Sequence, residues 1–251
     1  MGKFNWFSLF IVMSLTPAVC ATNQMMISSQ TQSNASSIQS FSWGASSSPI
    51  TVNVVTKRLK AIESQITTFS ANFDQTVKIK DAGLTQNVVG SIDYSKPKRF
   101  NIKQLRPEKQ RVVSDGKILW VWRPSKNQVL RMKLQDWGER QPFAQGLIDF
   151  GHYAEMIGNY HVKIVKTTPL LGALKGYQEI TLLLTPRQGD NKFSLRLKLN
   201  TRNFFPFESD FKQNGVFVRS RFSDIVYNIS LSSSEFHFDP PADAQVFDGG
   251  I

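Results

Sequence analysis

From Thr68 onward the chain alternates apolar and polar residues with a period of two, the signature of half-buried strands. Phe69, Ala71, Phe73, Gln75, Val77 and Ile79 fall on one face; Ser70, Asn72, Asp74, Thr76 and Lys78 fall on the other. Just before that strand the period is helical. Val52, Val55, Leu59, Ile62 and Ile66 make one stripe, opposite Asn53, Lys57, Lys60 and Glu63. Pro49 to Ile66 is therefore predicted as an amphipathic helix, with Ser48 as its N-cap and Pro49 at the first helical position. Between Gly90 and Gln128, short alternating runs are punctuated by Lys96-Pro97, Arg106-Pro107, Asp115-Gly116 and Arg123-Pro124. Ile92 with Tyr94, Phe100 with Ile102, and Trp120 with Trp122 mark faces of three such strands. This is an antiparallel meander, and Asp115-Gly116 is its strongest hairpin signal because glycine accepts a positive φ.

Beyond the meander, Pro142 to Ile157 places Phe143, Leu147, Phe150, Tyr153, Ala154 and Ile157 at helical spacing. Gly146 and Gly151 interrupt the pattern, so one broken helix or two short ones are expected. Strands resume at Tyr160–Lys166, Tyr177–Thr185, Phe193–Asn200, Phe204–Gln213 and Val216–Tyr227, with turns at Pro186 to Asp190 and at Asn214-Gly215. The chain then runs through Phe236-His237-Phe238-Asp239-Pro240-Pro241 to a short apolar return at Val246 and Phe247. There is no internal repeat. The sum is a mainly β, α+β fold: one many-stranded antiparallel sheet with a few helices, large enough to curl toward a barrel or half-barrel.

The start of the chain changes the picture. Lys3 and the apolar run Phe4 to Leu15 read as the n- and h-regions of a signal peptide spanning residues 1–21, with a small-residue cleavage site ending at Ala21. Cys20 raises lipid attachment as a rival, but Pro17-Ala18-Val19 fits a lipoprotein signal poorly. With cleavage after Ala21, the single cysteine of the chain leaves with the signal. Residues 22–48 are dominated by Ser, Gln, Asn and Thr and read as a disordered polar linker, although Phe41 and Trp43 offer docking points. Residues 49–251 then form one domain with a sizeable core. A net charge of +11 suits nucleic acid in a cytosolic protein. In an exported chain with basic residues spread over alternate strand positions, such as Arg196 with Lys198 and Arg219 with Arg221, it reads as a solvated face or as attraction to acidic partners.

Candidate chemistry is thin. His152, His161 and His237 lie in different elements with no metal-ligand spacing, and Asp93, Asp115 and Asp224 are explained by turns or outward strand positions. No nucleophile elbow, P-loop or dinucleotide fingerprint occurs. The aromatic load is the informative part. Phe69, Phe73, Phe100, Trp120, Trp122, Phe143 and Phe150, with Ile102 and Val112, suit one shared interior. That interior is either a filled core or an apolar ligand cavity, and the pattern alone leaves both open.

A helix followed by Thr68–Val77 (T-F-S-A-N-F-D-Q-T-V), then G-S-I-D-Y-S-K-P-K-R-F, then V-V-S-D-G-K-I-L-W-V-W (Val112–Trp122), and finally F-x-F-x-P-P resembles the periplasmic outer-membrane lipoprotein carrier (LolA) family. The resemblance runs in order from about Thr51 to Phe247. It implies an incomplete antiparallel β-barrel, a strongly curved sheet closed by a helical lid, around a cavity for the acyl chains of lipoproteins. Phe100 and Ile102 would stand at its mouth, and Phe73, Val112, Trp120, Trp122, Phe143 and Leu147 would line it. Lys96 occupies the place where the family usually has an arginine that holds the lid shut; lysine keeps the charge but lacks the planar fork.

The implied partners are lipoprotein acyl chains, an inner-membrane lipoprotein-releasing ABC transporter and an outer-membrane receptor. The implied setting is the periplasm, with a monomeric carrier, no cofactor or metal, no nucleic acid and no enzymatic activity. Two other readings share the architecture or the compartment: a lipoprotein-binding acceptor or sensor module, and a secreted lipid-active enzyme. A diacylglycerol-modified Cys20 in the intact mass marks an acceptor, and turnover of acyl esters marks an enzyme.

Overall fold

The computed structural model describes residues 50–140, 153–187 and 193–249. The expected signal peptide, the 22–48 linker, the Ser48-Pro49 cap and the residues Phe143, Leu147, Phe150 and His152 lie outside them. Helix α1 spans Val52–Gln65 and is capped by Thr51, whose Oγ accepts from the Val54 N–H at 3.3 Å. Val55 and Leu59 are fully buried on the expected stripe. Glu63, expected on the polar face, is 4% exposed. A 3.6-residue period puts residues 59 and 63 one above the other, so Glu63 continues the buried ridge.

Among the described residues twelve strands form one sheet. They are β1 Thr68–Ile79, β2 Leu84–Ser95, β3 Arg99–Arg106, β4 Gln110–Asp115, β5 Ile118–Arg123, β6 Gln128–Lys133, β7 Tyr160–Pro169, β8 Gln178–Pro186, β9 Phe193–Asn200, β10 Pro206–Gln213, β11 Val216–Tyr227 and β12 Gln245–Asp248. Their spatial order is β12-β6-β5-β4-β3-β2-β1-β11-β10-β9-β8-β7. Pairing is antiparallel except for β12, which runs parallel to β6. β1 is the hub that joins the two meanders, through β2 on one side and β11 on the other. The sheet is therefore open, with β7 and β12 at its edges, as the expected incomplete barrel requires.

Turn chemistry sets the register. Asn214 and Gly215, both at positive φ, close a two-residue link between Gln213 and Val216. At the β4–β5 turn Gly116 has φ +97°, and Asp115 Oδ1 accepts from the N–H groups of Lys117 and Ile118 at 2.7 and 2.8 Å. Gly90 serves a different need. A Cβ there would lie 2.3 Å from the Lys103 carbonyl and 2.8 Å from the Phe73 ring, so its bare backbone lets Phe73 lie across β2.

Helix α2, Leu134–Arg140, follows β6 directly and is not anticipated by the sequence pattern; the start of the predicted segment at Pro142 lies outside the described residues. Helix α3 is Tyr153–Gly158, at the end of the predicted segment and one residue past its expected limit at Ile157. Val55 and Leu59 of α1, Leu134 and Trp137 of α2, and Tyr153 and Ile157 of α3 join one apolar cluster with the concave face of the sheet.

Candidate functional site: an apolar concave face under clasped helices

Alternation divides every strand between two environments. On the concave face, Phe69 and Phe73 from β1, Tyr94 from β2, Phe100 and Ile102 from β3, and Leu119 and Val121 from β5 are buried together. The leucines of β8 and β9 complete the opposite wall, with Leu182, Leu184, Leu195 and Leu197 fully inaccessible. Ring contacts knit the middle: Phe69 to Tyr94 at 5.3 Å, Phe69 to Phe205 at 6.0 Å and Tyr153 to Phe205 at 5.7 Å between centroids.

Of the predicted lining, Phe73, Phe100, Ile102 and Val112 share this interior. Phe100 and Ile102, expected at a mouth, are 2% and 4% exposed, so they sit beneath the covering groups. Trp120 and Trp122 lie on the other face. They pack with Val113, Val129 and Phe238 in a separate outer cluster, and their rings stand 5.8 and 5.9 Å from that of Phe238. The reason is register: Leu119 and Val121 already point inward from β5, which sends both tryptophans outward. The C-terminal segment then covers them, and Glu235 anchors it by accepting from Asn101 at 3.0 Å and from Lys103 at 3.2 Å.

Lys96 is where the helices meet the sheet. It sits in the β2–β3 turn, and its Nζ donates to the backbone carbonyl of Glu63 in the last turn of α1. The Glu63 carboxylate in turn accepts from the Ala154 N–H of α3, at 3.3 and 3.2 Å to its two oxygens. Neighbouring bonds reinforce the same end: Lys96 N–H to the Thr67 carbonyl at 2.9 Å, and Asn228 Nδ2 to the Gln65 carbonyl at 3.0 Å. A lysine with one long donor thus bonds the end of α1 to the β2–β3 turn without a planar fork. Glu63 was not singled out from the sequence; its signal was a carboxylate one turn beyond Leu59 on a buried stripe.

Elsewhere the molecule offers less chemistry. Among the described residues no group of three His, Cys, Asp or Glu is placed to hold a metal, and no helix is long and apolar enough to cross a membrane. An open groove of about 720 Å³ lies at the other end of the sheet, between the β1–β2 and β10–β11 turns, and its lining includes Ile79, Leu84, Phe193 and Val216 together with Lys80 and Lys212. On the convex face Glu208 is bound by Lys198 at 2.8 Å and by Arg221 at 2.6 Å. Burial pushes its carboxyl up, but the hydrogen bonds and charges of those two cations outweigh it and hold the group below the usual carboxylate range. Burial raises the Tyr227 phenol, which therefore stays neutral.

The family described as outer membrane lipoprotein carrier protein LolA matches residues 64–239. An outer-membrane lipoprotein carrier protein of Chromohalobacter salexigens is 28% identical over 206 residues, 80% of this chain and 92% of the relative. One from Chromobacterium violaceum is 29% identical over 194 residues, covering 76% and 86%. A solved LolA superfamily protein from Nitrosomonas europaea is similar at 16% identity with a TM-score of 0.39, over 76% of this chain and 99% of that one.

Proposed function

This chain belongs to the LolA family of outer-membrane lipoprotein carrier proteins, and from that premise we propose that it carries lipoproteins across the periplasm by sheltering their acyl chains against the concave face. The observation that carries the reading is the clasp: Lys96 to Glu63 to Ala154 joins sheet, α1 and α3 across an apolar interior. An interior reached by breaking a few polar bonds can open without unfolding the sheet.

The energetic need is plain. Burying an acyl methylene is worth about 0.8 kcal/mol, so one chain of about fifteen carbons costs on the order of 12 kcal/mol to expose to water. A carrier must replace the membrane environment and still give up its load. In this reading an inner-membrane ABC transporter supplies the lipoprotein and the clasp opens. Phe100 and Ile102 meet the incoming chains, with Phe73 and Val112 farther along the wall. Phe143 and Leu147, outside the described residues, belong to the same proposed lining. Release to an outer-membrane receptor is then assisted by re-formation of the Lys96–Glu63 bond. The signal peptide ending at Ala21 would deliver the protein to the periplasm, where it acts as a non-enzymatic, monomeric carrier.

Incubating the mature protein with spheroplasts that hold a labelled outer-membrane lipoprotein tests this. The carrier releases the label into the soluble fraction in a one-to-one complex. Label that stays with the membrane refutes the reading.

A further inference from the structure

Tyr227 closes β11 directly opposite Phe69 of β1, which places its side chain on the concave face. Its ring packs against that of Phe205, with centroids 5.4 Å apart and planes at 72°. Its hydroxyl is buried and has no hydrogen-bond partner. Such a group is costly, because a buried polar atom loses water and gains nothing in return. The same interior holds a second orphan donor, the Nε1 of Trp137, on a side chain 4% exposed. Tyr227 is also at the clasped end of the molecule: the next residue, Asn228, bonds the Gln65 carbonyl and the Thr67 N–H. An apolar cavity uses a small number of polar groups to orient its ligand.

Resting on the carrier reading above, we propose that Tyr227 donates a hydrogen bond to an ester carbonyl of the bound acyl group, and so fixes how far the lipid enters. The phenol remains protonated at any physiological pH, which keeps it a donor. An acyl ester contains an acceptor at the junction between its apolar chain and its polar head. A donor near the clasped end, with apolar walls beyond it, matches that junction.

The test compares a short-chain diacyl phosphatidylcholine with its dialkyl ether analogue, which lacks the carbonyls, by calorimetric binding to the mature protein. The wild-type protein binds the ester roughly tenfold more tightly than the ether, the worth of one good hydrogen bond. Tyr227→Phe abolishes that preference while leaving urea stability unchanged or higher, since no bond is lost in the lipid-free state. Trp122→Phe, which removes an orphan indole N–H from the outer cluster, leaves the preference intact. Equal binding of the two lipids by the wild type, or a preference that survives in Tyr227→Phe, overturns the assignment and leaves the carrier reading standing. Binding of neither lipid overturns both.

Discussion

The two faces of β5 carry similar hydrophobic loads to different ends. Inward, Leu119 and Val121 join an interior drawn from nearly every element; outward, Trp120 and Trp122 rest under one strap, chiefly Phe238. The larger side chains occupy the smaller cluster. Aromatic content alone therefore does not locate the interior: the inner face is where helices and both halves of the sheet converge, and the outer cluster is where the C-terminus happens to return. Loss of the inner face should unravel the domain, while loss of the outer cluster should free only the strap.

The largest expected effect follows from that difference. Phe69→Ala, at the centre of the inner rings, should cost about 3–5 kcal/mol of stability in urea unfolding. Phe238→Ala should cost about 2 kcal/mol, below the usual range for a deeply buried phenylalanine because the strap can relax. It should also red-shift tryptophan emission as Trp120 and Trp122 meet water. Comparable costs at the two sites would erase the distinction between a core and a strap. Next, Lys96→Leu removes the charged donor to the Glu63 carbonyl, which in the proposed carrier reading favours the closed, cargo-free state by about 1.5 kcal/mol. Cargo in the spheroplast assay should then be retained roughly tenfold more strongly against a receptor, with loading preserved.

A smaller, pH-dependent effect separates the convex face from the clasp. The Glu208 carboxyl has a folded pKa below its unfolded value, so its contribution is present above the unfolded pKa and is lost as pH falls through the folded one. Urea midpoints should decline on the acid side, and Glu208→Gln should flatten that decline. Smallest of all, Arg131→Ala breaks an exposed pair with Asp248, at 2.7 Å, and should change stability by no more than about 0.5 kcal/mol. It would show that β12 is held by backbone pairing and apolar contact rather than by that charge.

Much of the fold was legible because its local signals agree. Phe193–Asn200 and Val216–Tyr227 were bounded correctly by alternation and by the Asn214-Gly215 turn. The site was legible in part. Phe73, Phe100 and Ile102 share the inner face because polar neighbours alternate with them, and Val112, followed by Val113, joins them through its pairing with Ile102. On β5 both faces are apolar, so period two separates Leu119 from Trp120 without saying which is inside. That choice is made by register, since Val121 pairs with Val112 and Leu119 with Met132, both on the inner face. Glu63 was misplaced for a related reason: a charged residue on a helix reads as solvent-facing unless its acceptor role toward a distant backbone N–H is known. Ala154 provides that N–H, and nothing local announces it.

The open seam between β7 and β12 has a mechanical meaning. In a closed barrel, strand number and stagger fix the radius, and widening it breaks a continuous ring of backbone bonds. Here the described strands form a strip with two free margins. The strip can flex in curvature while every ladder stays intact, with side-chain packing and the polar clasp supplying the resistance. In the carrier reading proposed above, the capacity of such a container is elastic: it grows with the size of the guest, and the work of stretching is returned when the guest departs.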